Sequence, residues 1–185
     1  MITLICGPMF SGKSTELIRQ LERKHIAGKK VLYIRPNMDS RGFIARGYKG
    51  NLTNMADVKQ ISDFASPEVN IEEMVNTYDA IFVDEYFMIQ NCALLCKQLP
   101  EDNKKCDIYF GGLLATAENK VWPETVSILP YCDEIVKLNA ICLECGSEHA
   151  NYSLFKAKKT TDLAIGDDTY KAVCRKCYKR LMGQL

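Results

Sequence analysis

Residues Gly7 to Thr15, reading Gly-Pro-Met-Phe-Ser-Gly-Lys-Ser-Thr, constrain the fold more than any other stretch of the chain. They satisfy G-x-x-x-x-G-K-[ST], a pattern with physical meaning only between an apolar strand and the first turn of a helix. Both flanks are present. Ile2 to Cys6 is a short apolar run. A helical pattern starts at Lys13, with Leu17, Ile18 and Leu21 on one face and Glu16, Arg19, Arg23 and Lys24 outside. Gly28 ends it. In such a loop glycine lets the backbone bend and bring N–H groups close to phosphate oxygens. Gly7, Pro8, Met9, Phe10, Ser11 and Gly12 would form the cradle, and Lys13, Ser14 and Thr15 the helix N-terminus with its positive dipole end. Lys13 supplies a mobile charge for the β- and γ-phosphates, and the Ser14 hydroxyl a ligand for Mg²⁺. The expected ligand is a nucleoside triphosphate with Mg²⁺.

The rest of the first 138 residues alternates short apolar runs with helical patterns, which implies a mostly parallel α/β sheet. Strands are expected at Val31–Ile34, Val58–Phe64, Asp79–Val83, Asp107–Phe110 and Glu134–Leu138. Ser66-Pro67 reads as a helix start, with Ser as N-cap and Pro first, and with Ile71, Met74 and Val75 on the inner face. A further helix is expected over Gln90–Gln98, and a long loop over residues 37–56. After Leu138 the texture changes to paired cysteines, many lysines and few apolar runs, which places a boundary near residue 140. The expected division is an ATP-binding α/β domain, 1–140, and a small unit, 141–185.

Asp84-Glu85 closes the strongly apolar run Asp79–Val83. An acid at that place in such folds holds Mg²⁺, directly or through water. Neighbouring side chains leave an extended backbone on opposite faces. The expectation is therefore that Asp84 serves the metal while Glu85 faces the acceptor as general base.

Cys142-x-x-Cys145 and Cys174-x-x-Cys177 are separated by 28 residues. Each pair suits one edge of a tetrahedral Zn²⁺ site, and a closed site of four cysteines is structural rather than catalytic. Two redox dithiols, or plain buried thiols, are the alternatives. Cys6, Cys92, Cys96, Cys106 and Cys132 lie in apolar patterns and read as core thiols; His25 and His149 read as surface residues. Residues 151–185 hold eight Lys or Arg against three Asp, although the whole chain is only +1. That total argues against wholesale nucleic-acid binding. A thiolate-rich zinc site gives the local basic excess a place as counter-charge. No apolar run approaches the ~18 residues of a membrane span. An intracellular, cytoplasmic protein is expected, with neither a nucleic-acid nor a membrane partner.

Together these features resemble the cytosolic-type (type II) thymidine kinases. The matching pieces are GPMFSGKST (7–15), KKVLYIRP (29–36), DSR (39–41), the strand with DE (79–85), VKL (136–138) with CLEC (142–145), and YKAVCRKCY (170–178). They occur in the family's order over essentially the whole chain. The resemblance implies a RecA-like domain plus a zinc-held lasso. It also implies γ-phosphate transfer from ATP to the 5′-hydroxyl of thymidine, and a homotetramer. Glu85 falls on the family's general base, Asp84 on its magnesium-side acid, and Arg41 on an arginine near the reacting phosphates. Tyr170 matches a lasso tyrosine at the nucleoside; Met88, Leu113 and Trp122 fall at or near the base pocket. Departures concentrate there. Tyr86, Phe87, Met88 and Ile89 follow the acid pair, Leu114 stands where the family has Asp, and Ala117 where it has Phe. Three readings follow: a thymidine kinase, a kinase of another pyrimidine nucleoside, or an ATP-binding zinc-ribbon regulator or ATPase.

Overall fold

Strand β1 (Ile2–Cys6) is buried along its whole length, as a mostly apolar run is when both faces of a sheet are covered. It sits inside a six-stranded sheet with β2 (Val31–Arg35), β3 (Asp57–Gln60), β4 (Ala80–Asp84), β5 (Asp107–Gly112) and β6 (Glu134–Lys137). The order is β3-β2-β4-β5-β1-β6, and every pairing is parallel. The computed structural model describes residues 1–37, 52–99, 106–156 and 169–183. Arg41 and most of the expected long loop lie outside them. The described end of that loop, Leu52–Asn54, is a 3₁₀ turn with Leu52 buried.

Strand alternation sorts the core into two layers. Ile5, Val31, Tyr33, Ala80, Phe82 and Tyr109 face helix α1 (Lys13–Ile26), which contributes Leu17 and Leu21. Leu4, Leu32, Ile34, Ile81, Val83 and Phe110 face the other side. There α2 (Ile71–Thr77), α3 (Ala93–Lys97) and α4 (Pro123–Ile128) supply Met74, Leu95 and Ile128. Burial of each Val, Leu, Ile, Phe or Met side chain among them stabilises the fold by about 1.5–3 kcal/mol. At the end of β5 two glycines permit close approach. A Cβ on Gly111 would lie 2.9 Å from Leu17 of α1, and one on Gly112 2.9 Å from the Tyr86 ring.

Three expected boundaries move. Strand β3 ends at Gln60, and Ile61 and Phe64 turn into the core beyond it. The helix expected from Ser66 starts at Ile71 instead, because Ser66 closes a turn: its carbonyl accepts the Val69 N–H at 2.9 Å. The cap is Asn70, whose side chain accepts the Glu73 N–H at 3.1 Å. Gln90 bridges to Asp63 rather than opening a helix, so α3 is shorter than the expected Gln90–Gln98.

Beyond Lys137 the chain leaves the sheet. An antiparallel pair, β7 (Ala150–Phe155) and β8 (Tyr170–Cys174), packs with α5 (Arg175–Met182) around Ala140, Leu154, Val173 and the cysteines. No helix among the described residues is long and apolar enough to cross a membrane.

Candidate functional site

In an all-parallel sheet the strand C-termini share one edge, where ligands of such folds bind. Two of those ends carry the expected chemistry. Cys6, before the glycine loop, pairs with Gly112, and Asp84 pairs with Gly111. The loop after β1 and the acid after β4 therefore flank the β5 end, about 10 Å apart at the spacing of two strand intervals.

The loop's shape depends on its glycines. A Cβ on Gly7 would stand 2.5 Å from the Leu138 carbonyl and 2.6 Å from Ser11 Oγ. Gly12 opens α1 in the left-handed region, φ +83°, and Phe10 has φ 65°. Ser11 Oγ donates to the Pro8 carbonyl at 2.9 Å, and Lys13 Nζ, buried, donates to the same carbonyl at 2.8 Å. Pro8 is buried, Met9 and Ser14 are half-buried, and Thr15 is exposed. The Met9 N–H donates to Ser153 Oγ at 2.9 Å, a bond from the loop to β7. A narrow glycine turn ending on a helix N-terminus, with an ammonium held inside it, fits a polyphosphate.

Asp84 is 3% exposed. Its Oδ2 accepts the Tyr33 hydroxyl at 2.7 Å, and its Oδ1 accepts the Glu85 N–H at 3.1 Å. Burial, reinforced by the Asp84 charge, pushes the Tyr33 phenol well above its ordinary range, so it stays a donor. Period two carries Asp84 to the Phe82 side of the sheet, the side of α1 and of Ser14. Carboxylate and hydroxyl oxygens suit a hard cation such as Mg²⁺. The expected opposite-face argument does not apply to Glu85. Its backbone is left-handed (φ 47°, ψ 45°) rather than extended, and it begins a 3₁₀ turn over Tyr86–Met88. Such a conformation costs a non-glycine residue about 1–3 kcal/mol and concentrates at working sites. The turn, not the pleat, aims the Glu85 carboxylate, and its Oε2 is shielded from water.

The expected base-pocket residues occupy the same edge. Leu113 lines a cleft of ≈ 150 Å³ with Gly7, Pro8, Thr116, Ser153 and Arg175. The Leu113 carbonyl accepts the Tyr86 hydroxyl at 3.1 Å. Trp122 packs on Phe87 with ring centres 4.9 Å apart, and Met88 lies half-buried in the turn after Glu85. Tyr170 packs on Phe155 at 4.7 Å, at the root of the excursion between the cysteine pairs. Ala117, buried, offers its carbonyl to the Tyr178 hydroxyl at 3.3 Å.

The sulfurs of Cys142, Cys145, Cys174 and Cys177 lie within 4.8 Å of one another, with Cys145 and Cys174 3.8 Å apart. A tetrahedron with metal–sulfur bonds of ~2.3 Å has edges of about 3.8 Å, so the cluster fits Zn²⁺. Thiolates so close repel, and the thiols respond unequally. Although burial opposes ionisation, backbone N–H groups bring Cys142 down to about 6; burial and the neighbouring thiols push Cys177 up to about 12. A divalent cation removes that conflict. Part of the basic excess is spoken for elsewhere: Lys171 and Arg180 pair with Glu144 at 2.7 and 3.2 Å. Burial pushes the thiols of Cys6, Cys92 and Cys96 upward, as suits protonated core groups.

Sequence reasoning passed over Tyr33 and Ser153. Nothing in strand periodicity separates a tyrosine buried for its ring from one buried for its hydroxyl.

A parallel α/β sheet with a glycine loop and an acid pair at one edge, joined to a hairpin rooted in four cysteines, defines the class of protein. The family model described as thymidine kinase matches residues 1–178. The thymidine kinase of Amsacta moorei entomopoxvirus is 33% identical over 183 residues, covering 96% of this chain and 97% of that protein. That of rabbit fibroma virus (strain Kasza) is 32% identical over 178 residues, covering 96% and 95%. The mimivirus thymidine kinase is 30% identical over 183 residues, covering 95% and 80%. The chain belongs to the thymidine kinase family and is an enzyme of the kinase class.

Proposed function

We propose that the chain transfers the γ-phosphate of ATP to the 5′-hydroxyl of thymidine. The observation that carries this reading is the meeting of the glycine loop and Asp84-Glu85 at one sheet edge, in a chain of this family. Gly7 to Gly12 wrap the β- and γ-phosphates, and Lys13 leaves the Pro8 carbonyl to neutralise them. Ser14 and Asp84 would hold Mg²⁺, which would supply charge neutralisation at the phosphate oxygens. Glu85 takes the proton of the 5′-hydroxyl as its oxygen attacks the γ-phosphorus; the bond to the β–γ bridging oxygen breaks and ADP leaves. Arg41 steadies the same phosphates. Residues 1–140 work as the nucleotide-handling domain, and 141–185 as a zinc-rooted lasso over the nucleoside, with Tyr170 at its base. The assembly is a homotetramer in the cytoplasm.

The Phe87–Trp122 ring contact and the buried alanine at 117 favour a second reading, in which the acceptor is another pyrimidine nucleoside. One experiment separates the readings: ATP consumption with a panel of nucleosides, for the wild type and Glu85→Gln. Thymidine should be the best acceptor. Glu85→Gln should bind nucleotide normally by calorimetry and lose roughly 10²–10⁴-fold in turnover. Another preferred pyrimidine would select the second reading, and ATP turnover that needs no nucleoside would sink both.

A further inference from the structure

Tyr33 brings a hydroxyl into a sheet face lined mainly by hydrocarbon, among Ile5, Leu17, Leu21, Ala80 and Phe82. At 1% exposure the residue would pack as well as phenylalanine, and without the hydroxyl's desolvation cost. A buried phenol therefore points to a partner. The register supplies it. Tyr33 pairs with Phe82, and Asp84 is the next residue of β4 on that face, one ring length further along. The 2.7 Å contact to Oδ2 lies in the range of charge-assisted O–H···O⁻ bonds. With the Glu85 N–H on Oδ1, each carboxylate oxygen receives a fixed donor, and the carboxylate plane is set from both sides. Each oxygen has two lone pairs, so one donor does not exhaust it.

We propose that Tyr33 is a positioning residue that fixes the Asp84 carboxylate for the divalent cation accompanying the nucleotide. This inference rests on the reading of Asp84 as the cation-side acid. Carboxylate ligands need such outer partners, and losing one typically costs 10–100-fold in metal affinity.

The test titrates Mn²⁺ into the full chain carrying a non-hydrolysable ATP analogue and reads free Mn²⁺ by electron paramagnetic resonance. Tyr33→Phe should weaken Mn²⁺ binding by about tenfold, while nucleotide affinity in EDTA stays unchanged. Asp84→Asn should weaken Mn²⁺ more, and the double variant no further than Asp84→Asn alone, which a merely structural tyrosine would not produce. Should Tyr33→Phe fail to fold, fluorotyrosine at 33 keeps the ring and alters the hydroxyl. It should shift Mn²⁺ affinity at constant melting temperature. Unchanged Mn²⁺ binding in the Tyr33 variants, with Asp84→Asn impaired, overturns the role of Tyr33 alone. Unchanged binding in all variants overturns the reading of Asp84 and this inference with it.

Discussion

Gly7 and Gly12 occupy equivalent letters of one motif but are required for different reasons. At Gly7 the obstacle is space, since a Cβ would meet the Leu138 carbonyl at 2.5 Å. At Gly12 no atom lies within 4 Å of a built Cβ, but φ is +83°. Gly7→Ala should therefore destabilise by ~1–3 kcal/mol through overpacking. Adding Ser11→Ala should not rescue it, because the Leu138 backbone stays. Gly12→Ala should cost ~1–2 kcal/mol, and Gly12→Asn less, because Asn tolerates the left-handed region. Urea unfolding of the four variants decides: equal losses for Ala and Asn at 12 would contradict the dihedral argument. The motif letters of Lys13 and Asp84 were legible because they follow local patterns. The bonds that hold them were not. Tyr33 meets Asp84 across 51 residues and Met9 meets Ser153 across 144, and no local pattern encodes such pairs.

Elements were legible where burial is uniform, as in β1, β2, β4 and β5, and poorly where a cap or turn decides. For α2 the serine–proline pair is a sound helix start in general, yet Asn70 lies next to the period of Ile71, Met74 and Val75 and captures the first turn. Asn70→Ala should cost about 1 kcal/mol by removing the cap. Ser66→Ala, whose backbone turn with Val69 survives the change, should cost little. Thermal melting of both variants compares them directly; a larger loss at Ser66 would restore the longer helix. The hairpin β7–β8 escaped sequence reading altogether. Its strands are short and mixed (Ala-Asn-Tyr-Ser-Leu-Phe and Tyr-Lys-Ala-Val-Cys), and they pair across the excursion between the cysteines rather than through a tight turn. The six-residue α4 was passed over too, with Pro123 at its start and Val126 exposed.

At the scale of the molecule, the hairpin rooted in the four cysteines is hydrogen-bonded to the glycine loop. An isolated two-stranded hairpin is marginal in water. The core around β7, β8 and α5 is small and includes Cys142, Cys174 and Cys177 themselves. Metal binding in such a unit is folding energy. This unit is bonded to loops at the edge of the larger sheet: Ser153 of β7 receives the Met9 N–H, and the Tyr178 hydroxyl of α5 reaches the Ala117 carbonyl. Removing a metal from the cluster should release both, loosening the glycine-loop backbone and the segment around Ala117, while the six-stranded sheet, with its separate core layers, persists. A chelator, or Cys142→Ser, should thus leave most far-UV dichroism intact and weaken nucleotide binding as well as acceptor binding. Ser153→Ala should reproduce the nucleotide effect but not the acceptor effect, because it cuts only the first of the two bonds. Calorimetric titration of both ligands checks the pattern. Nucleotide affinity that survives metal removal undiminished would mean the loop holds its shape without the hairpin, and the bond from Met9 to Ser153 would then be a consequence of loop geometry rather than a support for it.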